Sequence, residues 1–198
     1  MKPAFFLVLL FASFVIYAQQ TITDDRDGQS YSIVQIGDQI WLGENMNYKA
    51  TESWCPEGAP ELCNEYGRLY SFESAKDACP IGWRLPTDTE FQQLADYLGG
   101  SEIAGLKLKE AGLDHWAQTT RFVTNSSGFS ARASGNFWGD GGFDEVGEWV
   151  TFWTSSVFYN EEMDEYYVWT WTLYADDSTF ERDSEDVEMG LSVRCIQD

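Results

Sequence analysis

The chain has 198 residues, a formal net charge of −21 and 16% aromatic residues, with nine tryptophans among them. Such an acidic body repels phosphate backbones and anionic lipid surfaces, which excludes nucleic acid as a partner. The aromatic content excludes a solvated disordered tail, and the length suits one domain with a sizeable core rather than two.

In chain order, residues 1–18 come first: Lys2, then an apolar run from Ala4 to Ile16, then Ala18 before Gln19-Gln20. This reads as a secretory signal peptide cleaved after Ala18. The run falls short of the roughly 20 apolar residues of a membrane span, so no membrane insertion is expected after cleavage. Residues 19–23 form a polar leader, and residues 24–198 form the domain. Tyr31-Ser32-Ile33-Val34-Gln35-Ile36 and Gln39-Ile40-Trp41-Leu42 flank Gly37-Asp38 and predict a hairpin with a type II′ turn. Residues 45–67 read as a loop, and residues 71–78 as a short helix ending before Pro80.

Thr87-Asp88-Thr89-Glu90 then reads as a capping box, with the hydroxyl at N-cap and the carboxylate at N3. Phe91, Leu94, Ala95 and Leu98 follow at one-face helical spacing, and Gly99-Gly100 supplies the stop. Residues 101–111 predict another helix, with Ile103, Ala104, Leu106 and Leu108 turned inward. Beyond Gly112 no helical period survives. Residues 129–133 read as a strand, residues 135–147 as a Gly-rich acidic loop, and residues 149–154, 166–174 and 191–196 as strands. Helices early and antiparallel strands late predict an α+β fold.

Four cysteines remain after the leader: Cys55, Cys63, Cys79 and Cys195. An even number in an exported chain implies two disulfides, with three possible pairings. Pro56, Gly58 and Pro60 make the segment around Cys55 and Cys63 able to close on itself, which leaves Cys79 for Cys195.

Several stretches occur in a telling order. They are Asp24-Asp25-Arg26-Asp27-Gly28, Ile36-Gly37-Asp38-Gln39-Ile40-Trp41-Leu42, Tyr66-Gly67-Arg68-Leu69-Tyr70, Ala78-Cys79-Pro80-Ile81-Gly82-Trp83-Arg84-Leu85-Pro86-Thr87, Phe152-Trp153-Thr154-Ser155-Ser156 and Ser192-Val193-Arg194-Cys195. Together they resemble the Fibrobacter succinogenes major paralogous domain family over residues 23–198. More distantly, Trp83 to Thr87 ahead of a helix is similar to the formylglycine-generating-enzyme superfamily and to the C-type-lectin-like fold. The resemblance implies an exported, C-type-lectin-like α+β single domain whose first and last strands pair. It also implies a disulfide tying an early helix to the final strand, which again joins Cys79 to Cys195.

Catalytic signatures are weak. The single histidine, His115, reads as a loop or surface imidazole, and neither GxSxG nor HExxH occurs. Cys195 is the one late cysteine, and a thiol held in a disulfide is no nucleophile. With 33 acids, no pair is marked out for glycosidase chemistry. Calcium has two candidate acid groups: Asp140, Asp144, Glu145 and Glu148 in one loop, and Asp176, Asp177, Glu181 and Asp183 in another. Trp138 and Trp149 flank the first loop as possible stacking platforms, whereas Trp41, Trp83, Trp153, Trp169 and Trp171 read as core.

The expectation is a secreted, periplasmic or cell-surface monomer that binds a glycan or protein ligand and is not an enzyme. Its expected contacts are Trp138, Asp140, Phe143, Asp144 and Trp149, without a cofactor unless Ca²⁺ sits on Asp140, Asp144 and Glu145. The rival readings are an enzyme on the same scaffold and a structural element of the cell envelope.

Overall fold

The computed structural model describes residues 20–118 and 122–198, so the expected signal peptide, residues 1–18, lies outside the described residues. The early hairpin forms as its pattern predicts. β2 (Ser30–Ile36) turns at Gly37, whose φ of 63° a glycine adopts without strain, and returns as β3 (Gln39–Leu42). These strands sit in a five-stranded sheet of order β1-β2-β3-β11-β6, with β1 Thr21–Thr23, β6 Trp83–Arg84 and β11 Ile196–Gln197. A six-stranded sheet of order β4-β5-β10-β7-β8-β9 holds β4 (Ser53–Trp54), β5 (Leu69–Tyr70), β10 (Leu191–Ser192), β7 (Trp149–Asn160), β8 (Glu165–Tyr174) and β9 (Phe180–Asp186). β10 lies parallel to β7, and the other strand pairs are antiparallel.

Among the described residues, four short α-helices complete an α+β domain: α1 (Leu62–Tyr66), α2 (Phe72–Ala75), α3 (Asp88–Tyr97) and α4 (Ser101–Leu108). α3 starts where its capping box stands, with Thr87 and Glu90 bonded reciprocally. Its buried Phe91 stacks on Trp41 at 5.2 Å between ring centroids and meets Phe180 edge-on at 5.5 Å. Burying a side chain of that size contributes about 2–3 kcal/mol.

The β7–β8 register divides the core. Phe152 and Trp171 pair across the strands and face the helix side with Phe91, Phe129 and Leu173. Trp153 points to the opposite face and joins Tyr70, Phe72, Val168 and Leu191 in a second cluster. The sheet is therefore buried on both faces at its centre. Beyond the irregularity between Trp153 and Val157 the ribbon runs out of the core, and Val157, Tyr159 and Tyr166 become exposed on one face.

Cys55–Cys63 and Cys79–Cys195 are the two disulfides. Beside Cys195, the buried Arg194 donates from Nη1 to Leu42 O (3.1 Å) and Phe129 O, and from Nη2 to Asn45 Oδ1 (2.6 Å). Burial pulls its pKa down to about 9.

Several expectations need correction. The final strand pairs with β3 and β6, not with the first strand β1, which pairs with β2 alone. Residues 191–196 are not one strand, because the chain breaks between β10 and β11 to bury Arg194. Residues 129–133 make one bridge, Lys109 to Ala131, since Ser130 takes a φ of 51°. Ile103 faces solvent, while Ala104 and Leu108 turn inward. Glu181 and Asp183 stand on edge strand β9 rather than in a loop. Trp169 is half-buried, stacked on Phe158 at 4.4 Å with the Arg182 guanidinium 3.4 Å from its ring centroid.

Candidate functional site

Residues 135–147 form a loop without helix or named strand, as their glycines predict, but the loop is pinned along its length. Phe137 and Gly190 exchange both backbone hydrogen bonds at 2.8 Å, and Gly147 N donates to Ala133 O at 2.8 Å. Glu57 Oε1 accepts from Val146 N at 3.0 Å, which ties the loop to the first disulfide segment. Gly190 is required by close approach: a Cβ there would lie 2.8 Å from Phe137 Cβ and 3.1 Å from Trp54 Cε3.

The loop brings four of the predicted contact residues together. Trp138 N donates to Gly142 O (2.8 Å), closing a tight turn that carries Asp140 at its tip. Trp138 is 46% exposed, and its Nε1 donates to Asp144 Oδ1 at 2.8 Å. Asp140 Oδ1 accepts from Gly142 N at 3.1 Å. Phe143 packs on Phe137, with 5.0 Å between ring centroids. Trp149 stands apart, at the start of β7, with its ring 6.5 Å from that of Tyr174.

The acids do not assemble a metal centre. Among the described residues no three His, Cys, Asp or Glu side chains form a group able to hold a metal, so Asp140, Asp144 and Glu145 are not one, nor are Asp176, Asp177, Glu181 and Asp183. Asp144 instead lies within electrostatic reach of Glu185 on β9. Burial first, then the charges of Asp183, Asp144 and Asp186, push the Glu185 carboxyl above its ordinary range. His115 lies in a loop, as expected, and is half-buried: its Nδ1 bonds Glu110 Oε2, and Arg132 Nη2 reaches Glu110 Oε1 at 2.9 Å. Cys195 is locked to Cys79 and buried.

A broad concavity lies beside this loop rather than on it. It is a groove of about 690 Å³ over the outer part of the six-stranded sheet. Val157 of β7 and Tyr166 of β8 make its floor, and α2 supplies Phe72, Glu73 and its flanking Lys76. Trp54 of β4, stacked on Phe137 at 4.1 Å between centroids, makes one wall. Val187 and Glu188, between β9 and β10, make the other, against Gly139. The loop therefore reaches the groove through Phe137 and Gly139. Trp138, Asp140, Phe143, Asp144 and Trp149 do not line it.

Sequence reasoning missed Trp54, Phe72, Val157, Tyr166 and Val187. Two signals were present. Trp54 precedes Cys55 in a turn-rich segment that offers an indole little core. Ser155-Ser156 interrupts the aromatic run of β7 at the irregularity, beyond which the alternation carries apolar side chains into solvent.

A family model described as the Fibrobacter succinogenes major domain matches residues 34–197, which runs from within β2 to β11 and takes in the six-stranded sheet and the groove. No curated protein and no solved structure matches the chain. The two disulfides point to a non-cytoplasmic protein, and among the described residues no helix is long and apolar enough to cross a membrane. On the extent of that match, the chain belongs to the Fibrobacter succinogenes major domain family.

Proposed function

We propose that this chain is an exported, non-catalytic binding module on a C-type-lectin-like scaffold, and that it recognises a glycan or protein ligand through the groove beside the 135–147 loop. The observation that carries this reading is the groove itself. It has the volume of a ligand site, and three of its apolar side chains are left open: Tyr166 is 63% exposed, with Val157 and Val187 also exposed. Exposed aromatic side chains in a concavity serve as stacking surfaces for sugars or as anchors for peptides. The loop acts as a braced wall, with the Trp138–Asp144 hydrogen bond holding its tip.

An enzyme is the weaker reading. Both disulfides occupy all four cysteines after the leader, and His115 is paired with Glu110 away from the groove lining. The test is a glycan and peptide array probed with the wild-type protein and with the Val157→Ser/Tyr166→Ser double variant. Both positions are exposed, so the variant should fold. The reading expects at least one class of array feature to be bound by the wild type and lost in the variant. Equal binding by both proteins would place recognition elsewhere.

A further inference from the structure

The chemistry of the groove's polar groups says which ligand suits it. Three carboxylates line it, Glu52, Glu73 and Glu188, against one ammonium, Lys76. No Asn, Gln or Arg lines it, and the Ser71 hydroxyl already donates to Glu52 Oε2 at 2.9 Å. The groove thus presents three carboxylates and aromatic faces, with the Lys76 ammonium, the Trp54 indole N–H and the Tyr166 hydroxyl as side-chain donors. A neutral sugar ring would leave the excess of carboxylate over ammonium uncompensated there. An ammonium or guanidinium, which only donates, would be fully matched.

The molecule already contains one such complex. Lys76 Nζ lies 4.6 Å from the centre of the Phe72 ring and 2.5 Å from Glu73 Oε1. The same triad of cation, ring and carboxylate recurs where Arg26 sits over Tyr48 beside Asp24, and where Arg182 sits over Trp169 beside Asp88. In the groove the resident cation is loosely held: the side chains of Lys76 and Glu73 are 45% and 75% exposed, and an ion pair so open contributes little. Resting on the groove as the binding site, we propose that it takes the lysine or arginine side chains of an extended cationic peptide, and that Lys76 is the cation they displace. The net charge of −21 draws such a partner in from a distance.

The test is a titration of the disulfide-intact protein with acetylated and amidated tetralysine at about 0.15 M salt, where charges more than ~8 Å apart are largely screened. Binding is read from the Trp54 indole N–H resonance, with tetraglutamine and maltohexaose as the comparison ligands. Tetralysine should move that resonance and tetraglutamine should not. Glu188→Gln should weaken tetralysine by about fivefold, and Lys76→Gln should tighten it by a few-fold. Glu61→Gln, an exposed acid outside the groove, should change it by less than about twofold. Equal weakening by Glu61→Gln and Glu188→Gln would overturn the proposal in favour of diffuse attraction. Movement by maltohexaose alone would overturn the cationic ligand and leave the groove as a binding site. If no peptide or sugar, array ligands included, moves the resonance, the groove reading falls as well.

Discussion

Cys79–Cys195 closes a loop with a sequence separation of 116, and Cys55–Cys63 one of 8. In the chain-entropy relation these loops contribute about 5 and about 2.5 kcal/mol, so the two bridges should differ by about 2.5 kcal/mol. Location adds in the same direction. Cys195 is fully buried in the core cluster that holds Tyr70, Trp153 and Val193, whereas Cys55 is half-buried at the surface. The comparison is Cys79→Ala/Cys195→Ala against Cys55→Ala/Cys63→Ala, each measured by urea denaturation followed by circular dichroism. With a urea slope of about 2 kcal/mol per molar, the long-loop variant should unfold about 1 M earlier than the short-loop variant. Coincident midpoints, or the reverse order, would refute the reasoning that the long bridge restrains most of the unfolded chain.

Arg194→Ala strands the buried acceptors Leu42 O, Phe129 O and Asn45 Oδ1, and should cost about 3–5 kcal/mol by the same denaturation assay. Glu185 has its folded pKa raised above 4.5, so its stabilising protonated form is present below 4.5 and is lost as pH rises through the raised value. Glu185→Gln should therefore raise the melting temperature at neutral pH and lose that gain below pH 4.5, as read by scanning calorimetry at the two pH values. Gly190→Ala should push Phe137 off Trp54, shift the Trp54 indole resonance and weaken any groove ligand, while the far-ultraviolet circular dichroism stays that of the folded protein.

What could be read from sequence was what local chemistry decides. The capping box at Thr87, the turn at Gly37 and the pairing of four cysteines each depend on a few adjacent residues or on arithmetic, and each stands. What resisted reading depends on distant partners. β9, Phe-Glu-Arg-Asp-Ser-Glu-Asp, has the composition of a solvated loop and becomes a strand because β8 offers it an edge. The terminal strand divides because Arg194 must reach carbonyls from Leu42 and Phe129. The groove gathers Trp54, Phe72, Tyr166 and Glu188 from four separate stretches, so no local pattern could announce it. The 135–147 loop was legible as an irregular surface feature, but its exposed Trp138 bonds within the loop, and the buried Phe137 beside it forms the wall.

The most direct test of the account is a crystal structure of the protein with the ligand that the array selects most strongly. The account predicts that ligand seated between Trp54 and Tyr166, with its polar groups against Glu73 and Glu188 and with Lys76 displaced from Phe72. A ligand seated on the loop tip at Trp138 and Asp140, or on the five-stranded sheet, with the groove left open, would contradict it.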